Sequence, residues 1–328
     1  MMIDDDLSRR MLTAAWSTYF RDPMKEATDG IPALAAARNA EVGYQAPPAV
    51  FIDGTTFIWK PPFDTVLPEV SLLAARDAVT VGVTAKEIVV AFRGTIPLDG
   101  EADQALAVGD WLNNFNAVPR AWPGIGWIHP GFAEAVDNLW VELGAALAPL
   151  LKQQPGFPVC FTGHSKGGAM AHIGAVRFKR QSPKRQVLVC TFAAPKAGDS
   201  NFVKAFDAAV ADSRRYEYGD DVVPHVPSNG GLGVTASVAP SRSVDGLLAA
   251  QLASLAQAYR SAGKLYYLPE LIGGAKPVLT PLHEISSTQR VLSIIRAIPN
   301  LTLPLNQSWL GQHHDIKPGS GYHTWLQP

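Results

Sequence analysis

The chain has 328 residues, of which 47% are hydrophobic and 17% are charged, and its formal net charge at pH 7 is -1. This composition is typical of a globular protein, and the small net charge gives no electrostatic reason to expect nucleic acid or an acidic membrane as a partner. The longest apolar runs are shorter than the ~20 residues of a membrane-spanning helix. We therefore expect one domain over residues 1–328, without an integral membrane segment.

The N-terminal forty residues are predicted to be helical. The chain starts with Met1-Met2-Ile3, followed by three aspartates and no apolar core, so the start lacks the pattern of a secretory signal. The chain as written is expected to be cytoplasmic, and secreted if a leader was removed from it.

Strand and helix patterns alternate through the rest of the chain. Apolar runs at 49–52 and 56–59 flank Asp53-Gly54, which predicts a hairpin turn there. Because strands alternate with helices, we expect an α/β fold with a mostly parallel central sheet covered on both faces. The other predicted strands lie at 78–83, 87–92, 158–161, 187–193, 215–218 and 264–268, and the helices at 133–151, 168–181, 200–211, 246–261 and 284–297.

Residues 163–167 read Gly-His-Ser-Lys-Gly and match the nucleophile-elbow pattern Gly-x-Ser-x-Gly between a strand and a helix. A serine at the tip of so tight a turn is strained, and side chains at 163 and 167 would collide. The turn lifts the Ser165 hydroxyl above the sheet edge, and the helix N-terminus offers N–H groups to a developing negative charge.

A serine nucleophile needs a histidine base and a carboxylate that orients it. In hydrolases that carry their serine on a nucleophile elbow, the order along the chain is serine, acid, histidine. Asp221, after the predicted strand 215–218, is the first candidate acid and Asp220 is its rival, while the alternative interpretation of both is a solvated turn.

The chain has eight histidines. Three of them precede the acid, and His225 follows it too closely to close a triad easily. Of the rest, His314 is the favoured base, and His313 and His323 are the main alternatives. The remaining candidate is His283, beside Glu284. The competing interpretation of residues 312–316 is a solvated polar tail without a catalytic role.

Cys160 and Cys190 lie in predicted strands and are expected to be free, buried thiols. Neither has a histidine or second cysteine at metal-ligand spacing, so no metal site is indicated. No cofactor is predicted.

Six sequence blocks, in order, resemble the class 3, fungal-type lipases of the α/β-hydrolase fold. The resemblance implies that fold, with a lid at 96–109, and a further loop insertion is expected at 228–245. Long loops inside a compact domain are often functional. The blocks lie at 88–95, 110–114, 129–132, 163–168, 191–199 and 221–227.

The resemblance implies roles for five residues of this chain. Ser165 is the expected nucleophile, Asp221 the acid and His314 the base. The backbone N–H groups of Thr95 and Lys166 are the expected oxyanion donors, with the Thr95 hydroxyl as a further candidate. The chain departs from the family pattern in three places. Lys166 replaces a more usual Gln or Leu and brings a charge near the site. Residues 96–109 are longer than the short link expected between the oxyanion strand and the next block, and residues 317–321 separate the histidine block from the aromatic block after it.

The first functional hypothesis is a serine carboxylester hydrolase, specifically a triacylglycerol lipase that works through an acyl-enzyme. Its partner would be a lipid or other ester, including one at an oil–water interface, and not nucleic acid. The alternatives are a short-chain or feruloyl-type esterase, a phospholipase A1, and a catalytically dead binding module on a hydrolase fold. The oligomeric state is left open.

Overall fold

The structure is a computed structural model, and it describes ten stretches of the chain. The predicted lid at 96–109 and loop insertion at 228–245 lie outside the described residues, as do His283 and the predicted helix at 284–297. The described residues are 5–20, 40–45, 49–60, 71–95, 119–221, 223–225, 227, 259–268, 313–317 and 319–326.

Five helices and eleven strands lie wholly within the described residues, together with two short 3-10 turns at Thr18–Phe20 and Val223–His225. In chain order the elements are α1 (Asp5–Ser17), β1 (Val50–Lys60), β2 (Ser71–Val83), β3 (Ile88–Phe92), β4 (Arg120–Trp122), β5 (Gly126–Ile128), α2 (Pro130–Gln153), β6 (Val159–His164), α3 (Lys166–Gln181), β7 (Val187–Phe192), β8 (Gly198–Asp199), α4 (Ser200–Ala209), β9 (Asp212–Tyr218), β10 (Tyr259–Arg260), β11 (Lys264–Leu268) and α5 (Gly321–Leu326).

The central sheet has seven strands in the order β1-β2-β3-β6-β7-β9-β11. The five strands from β3 to β11 run parallel to one another, and β1 and β2 are antiparallel additions at one edge. Every residue of β3 and β6 is buried, as expected for strands covered on both faces. The predicted, mostly parallel sheet is confirmed. A smaller antiparallel sheet has the order β10-β8-β5-β4.

Helices cover both faces of the central sheet. Helices α2, α3 and α4 pack over one face, where Val90 of β3 joins their apolar cluster. Helices α1 and α5 pack over the other face with Val89 and Ala91. Neighbouring residues of one strand thus belong to opposite layers, because strand side chains alternate between the two faces. No helix in the described part of the chain has both the length and the apolar character needed to cross a bilayer.

The predicted hairpin at Asp53-Gly54 is wrong. Residues 50–60 form one continuous strand, in which Asp53 pairs with Ala78 and Gly54 with Asp77. An Asp-Gly pair makes a turn when its two flanks pair with each other, but here both flanks pair with β2. The end of the predicted helix at 246–261 is also wrong: residues 259–260 form β10, and 246–258 lie outside the described residues.

Cys160 and Cys190 are free and buried, as predicted. They belong to the adjacent strands β6 and β7, where Cys160 pairs with Leu188 and Cys190 with Thr162. Burial raises the pKa of Cys190 to about 12 and that of Cys160 well above its usual value. Both side chains therefore behave as small apolar groups of the core.

His172, on α3, makes the stability of the fold depend on pH. Its Nε2 lies 3.3 Å from Thr191 Oγ1, and its ring stands edge-on to Phe206. Burial, and secondarily the charge of Arg215, lowers the pKa of His172 from 6.5 to about 3. Between these two values the unfolded chain binds a proton that the folded chain does not. The free energy of unfolding therefore falls as the pH drops below 6.5.

We expect His172→Gln to reduce the slope of the free energy of unfolding against pH. The reduction should correspond to about one proton, or ~1.4 kcal/mol per pH unit. Urea unfolding at several pH values between 7 and 4.5 measures the slope. Ser165→Ala is the control, because it changes no group that titrates in this range, and its slope should equal that of the unchanged protein. An equal slope in His172→Gln would show that His172 does not cause the effect.

Candidate active site

The strand-to-helix turn at Ser165 has the geometry of a nucleophile elbow. β6 ends at His164, α3 begins at Lys166, and Ser165 between them has φ 57° and ψ -131°. A non-glycine residue in this region is strained and persists only where its surroundings hold it. A Cβ at Gly163 would collide with the backbone of Gly167, and one at Gly167 would collide with the Phe92 carbonyl. The predicted strain and the need for both glycines are confirmed.

The register of the parallel strands brings the other predicted residues to the same edge of the sheet. Phe92, the last residue of β3, pairs with Gly163, and Gly163 pairs with Thr191 of β7. The Ser165 N–H donates to the Phe192 carbonyl at 3.0 Å. Since the carboxyl ends of parallel strands meet at one edge, the segments after β3, β6 and β9 converge there.

Asp221 and His314 form a hydrogen-bonded pair at this edge. His314 Nδ1 lies 3.0 Å from Asp221 Oδ2 and 3.1 Å from Oδ1. Both residues are buried. Because a carboxylate only accepts, Nδ1–H donates, and Nε2 of the neutral ring is then the nitrogen that can accept a proton.

Two further donors hold the Asp221 carboxylate. The Tyr322 hydroxyl donates to Oδ2 at 2.8 Å, and the Val223 N–H donates to Oδ1 at 3.0 Å. The Tyr322 oxygen in turn accepts from the Tyr218 N–H at 3.0 Å. Burial, and then the neighbouring Asp221, raises the pKa of Tyr322 well above its usual value, so the phenol keeps its proton. The orientation of Asp221 is thereby fixed from three sides.

Sequence reasoning gave Tyr322 no role. The signal that could have found it is the aromatic block that follows the interruption at 317–321. That interruption contains a turn, closed by a hydrogen bond from the Ser320 N–H to the Lys317 carbonyl, and it leads directly into α5. α5 then brings Tyr322 back against Asp221.

His164, beside the nucleophile, links His314 to the N-terminal segment. The His314 carbonyl can only accept, so His164 Nε2–H donates to it at 2.6 Å. Nδ1 of the same ring then accepts from the Tyr19 hydroxyl at 2.8 Å. Burial, and then His314, lowers the pKa of His164 well below its usual value, and its ring lies 4.6 Å from that of His314. The neutral His164 thus holds the His314 backbone beside the elbow.

The rival residues occupy other positions. Asp220 is half-buried in the turn before Asp221. The His313 ring is buried, with its centroid 6.0 Å from that of Tyr218. His323 lies on α5, and its N–H donates to Ser320 Oγ. The structure therefore brings together Asp221 and His314 rather than these alternatives.

The two predicted oxyanion donors follow the carboxyl ends of the adjacent strands β3 and β6. Thr95 follows β3 closely, and its hydroxyl is buried without a hydrogen-bond partner among the described residues. Such a group calls for an explanation, and a ligand oxygen would satisfy it. Lys166 is the first residue of α3. Its side chain was expected to bring a charge near the site, and the ammonium is in fact buried in an ion pair with Asp77.

The family model that matches this chain is that of the class 3 lipases, and it covers residues 89–230. A secreted mono- and diacylglycerol lipase of Fusarium solani is 30% identical over 43% of this chain and 40% of its own length. A lipase of Caenorhabditis elegans is 30% identical over 56% of this chain and 49% of its own. A Rhizomucor miehei lipase is 26% identical over 50% and 43%. The chain thus spans less than half the length of each relative.

Solved lipase structures have the same fold. A triacylglycerol lipase described as having a serine-protease-like triad has a TM-score of 0.55 at 18% identity, over 94% of both chains. The native propeptide complex of Rhizomucor miehei lipase has a TM-score of 0.54 at 19% identity, over 93% of this chain and 80% of that chain. At this level of identity the likeness concerns the fold, and it confirms the predicted α/β-hydrolase architecture.

The elbow, the acid loop and Thr95 all fall within the matched region 89–230, while His314 lies beyond it. Residues 89–230 of this chain are therefore similar to the class 3 lipases.

Proposed function

We propose that this protein is a serine carboxylester hydrolase, a lipase that cleaves fatty-acyl esters through an acyl-enzyme on Ser165. The observation that carries the proposal is the buried Asp221–His314 pair, held through His164 against a strained elbow serine. This arrangement supplies a nucleophile, a base and a group that orients the base. The relatives named as lipases and as a mono- and diacylglycerol lipase support the same chemistry.

In the first half of the reaction, Ser165 Oγ attacks the ester carbonyl carbon while His314 Nε2 takes the hydroxyl proton. The Nδ1–H bond to Asp221 stabilises the imidazolium that forms. The carbonyl oxygen becomes an oxyanion and accepts from the backbone N–H groups of Thr95 and Lys166. Collapse of this intermediate breaks the bond to the alcohol, which leaves with the proton from His314.

In the second half, water attacks the acyl carbon of the serine ester. His314 Nε2 takes one proton from the water and returns it to Ser165 Oγ as the fatty acid is released. The same two backbone donors hold the second oxyanion. The same histidine nitrogen therefore carries every proton transfer, and the same two N–H groups stabilise both oxyanions.

The proposed substrates are triacylglycerols and their partial esters. We expect the protein to release fatty acid from an emulsified long-chain triacylglycerol and from tributyrin. Titration of the released acid measures the rates on these two substrates, and absorbance of p-nitrophenol measures the rate on soluble p-nitrophenyl butyrate for comparison. Activity confined to the soluble short ester would favour an esterase, and release only from a phospholipid would favour a phospholipase A1.

We also expect a fluorophosphonate probe to label Ser165 in the folded protein. The reagent phosphonylates an activated serine, and intact-mass and peptide mass spectrometry locate the adduct. Because Ser165 is only 4% exposed, the labelling also shows that a reagent can reach it. Ser165→Ala should take up no probe. If the folded protein takes up none, the catalytic proposal is wrong and the binding-module hypothesis gains support.

A further inference from the structure

A buried ion pair lies beside the elbow, outside the proposed triad. Lys166 Nζ is 2.5 Å from Asp77 Oδ1, and the two side chains are 7% and 1% exposed. A buried ion pair is weak evidence for stability, because removing both charges from water costs about as much as their attraction returns. The pair therefore calls for another reason.

Each of the two charges is unfavourable in its own element. Asp77 lies on β2 in an alternating series whose next members, Val79, Val81 and Val83, join the apolar cluster under α2 and α3. Lys166 lies in the first turn of α3, where the helix dipole disfavours a cation. The contact between the two side chains offsets part of both costs, and it ties the start of α3 to β2.

β2 also holds the segment that carries the other proposed oxyanion donor. The carbonyl of Ala78, the residue after Asp77, accepts from the Arg93 N–H at 2.9 Å. Arg93 lies two residues before Thr95. Consecutive residues of one strand therefore hold both sides of the oxyanion site, one by a backbone hydrogen bond and the other by an ion pair.

We propose that Asp77 is a positioning residue that sets the spacing between the Thr95 and Lys166 N–H donors. The inference rests on the proposed function, because it assigns a task to the oxyanion site of that reaction. Two donors stabilise an oxyanion only when both lie at hydrogen-bond distance from where the charge develops. Loss of the tie should therefore raise the energy of the transition state and leave substrate binding nearly unchanged.

The first test is Asp77→Asn. A misplacement of about 1 Å can cost ~100-fold in rate, so we expect kcat for a soluble p-nitrophenyl ester to fall ~10- to 100-fold while KM changes less than about threefold. The affinity for a trifluoromethyl ketone, which forms a tetrahedral oxyanion adduct on the serine, should weaken by about the same factor as kcat/KM. A role in folding alone would not produce this split.

Because Asp77→Asn leaves a buried ammonium without its partner, it also lowers stability. The double variant Asp77→Ala/Lys166→Met removes both charges and should regain the thermal unfolding midpoint. Its kcat should stay low, since the tie to β2 is still missing. If the double variant regains both the midpoint and kcat, the pair serves stability only and the proposal is overturned.

Glu87→Gln is the matched control. Glu87 is a buried acid that pairs with Arg10 Nε at 3.0 Å, just before the start of β3 and thus at the opposite end of that strand from Thr95. We expect it to lower the unfolding midpoint without changing kcat. An unchanged kcat in Asp77→Asn, or an equal loss of kcat in Glu87→Gln, contradicts the positioning role. If the unchanged protein and Ser165→Ala are equally inactive on esters, the proposed function itself fails.

Discussion

Ser165→Ala is expected to lower kcat for ester hydrolysis about 10⁴- to 10⁶-fold, the loss typical when a serine nucleophile is removed. The reason is chemical: without Oγ no acyl-enzyme forms, and only the oxyanion donors and the substrate contacts remain to assist water. The fold should persist, since alanine keeps the Cβ that the elbow already accommodates at φ 57°. Initial rates on a p-nitrophenyl ester and circular dichroism measure the two quantities.

Ser182→Ala is the control for this change. Ser182 follows the last residue of α3, so the full length of the 16-residue helix separates it from the elbow. We expect its kcat to equal that of the unchanged protein. Near-normal activity of folded Ser165→Ala would rule out Ser165 as the nucleophile.

His314→Ala should cause a loss of kcat of similar size, about 10⁴- to 10⁶-fold, because Ser165 then has no base. The members of such a constellation act as a unit, so Ser165→Ala/His314→Ala should be no less active than either single variant. His313→Ala is the matched control, because it removes the neighbouring ring that faces Tyr218 rather than Asp221. We expect its kcat to change less than about tenfold.

The kinetic comparison of these variants also decides between the candidate bases. If His313→Ala or His323→Ala loses activity as Ser165→Ala does while His314→Ala retains it, His314 is not the base. Equal losses in all the single histidine variants, with lowered unfolding midpoints, would point to damage of the C-terminal segment instead. Circular dichroism of each variant separates these outcomes.

The sequence by itself determined the parts of this protein that depend on neighbouring residues. The alternation of apolar strands and helices indicated the parallel sheet. The elbow was predictable because the need for glycine there is a property of one tight turn, in which a side chain at 163 would collide with the backbone of Gly167. Asp221 was predictable as a candidate acid because it follows a strand and therefore lies at the edge where the strands end.

Only the tertiary structure decided which distant side chains meet. His314 is 93 residues from Asp221, and Lys166 is 89 residues from Asp77, so no local pattern links the members of either pair. The same is true of β1, where Asp53-Gly54 has the sequence of a turn but pairs along β2 instead. Such contacts depend on strand order and register, which are set by the packing of the whole sheet rather than by the residues on either side.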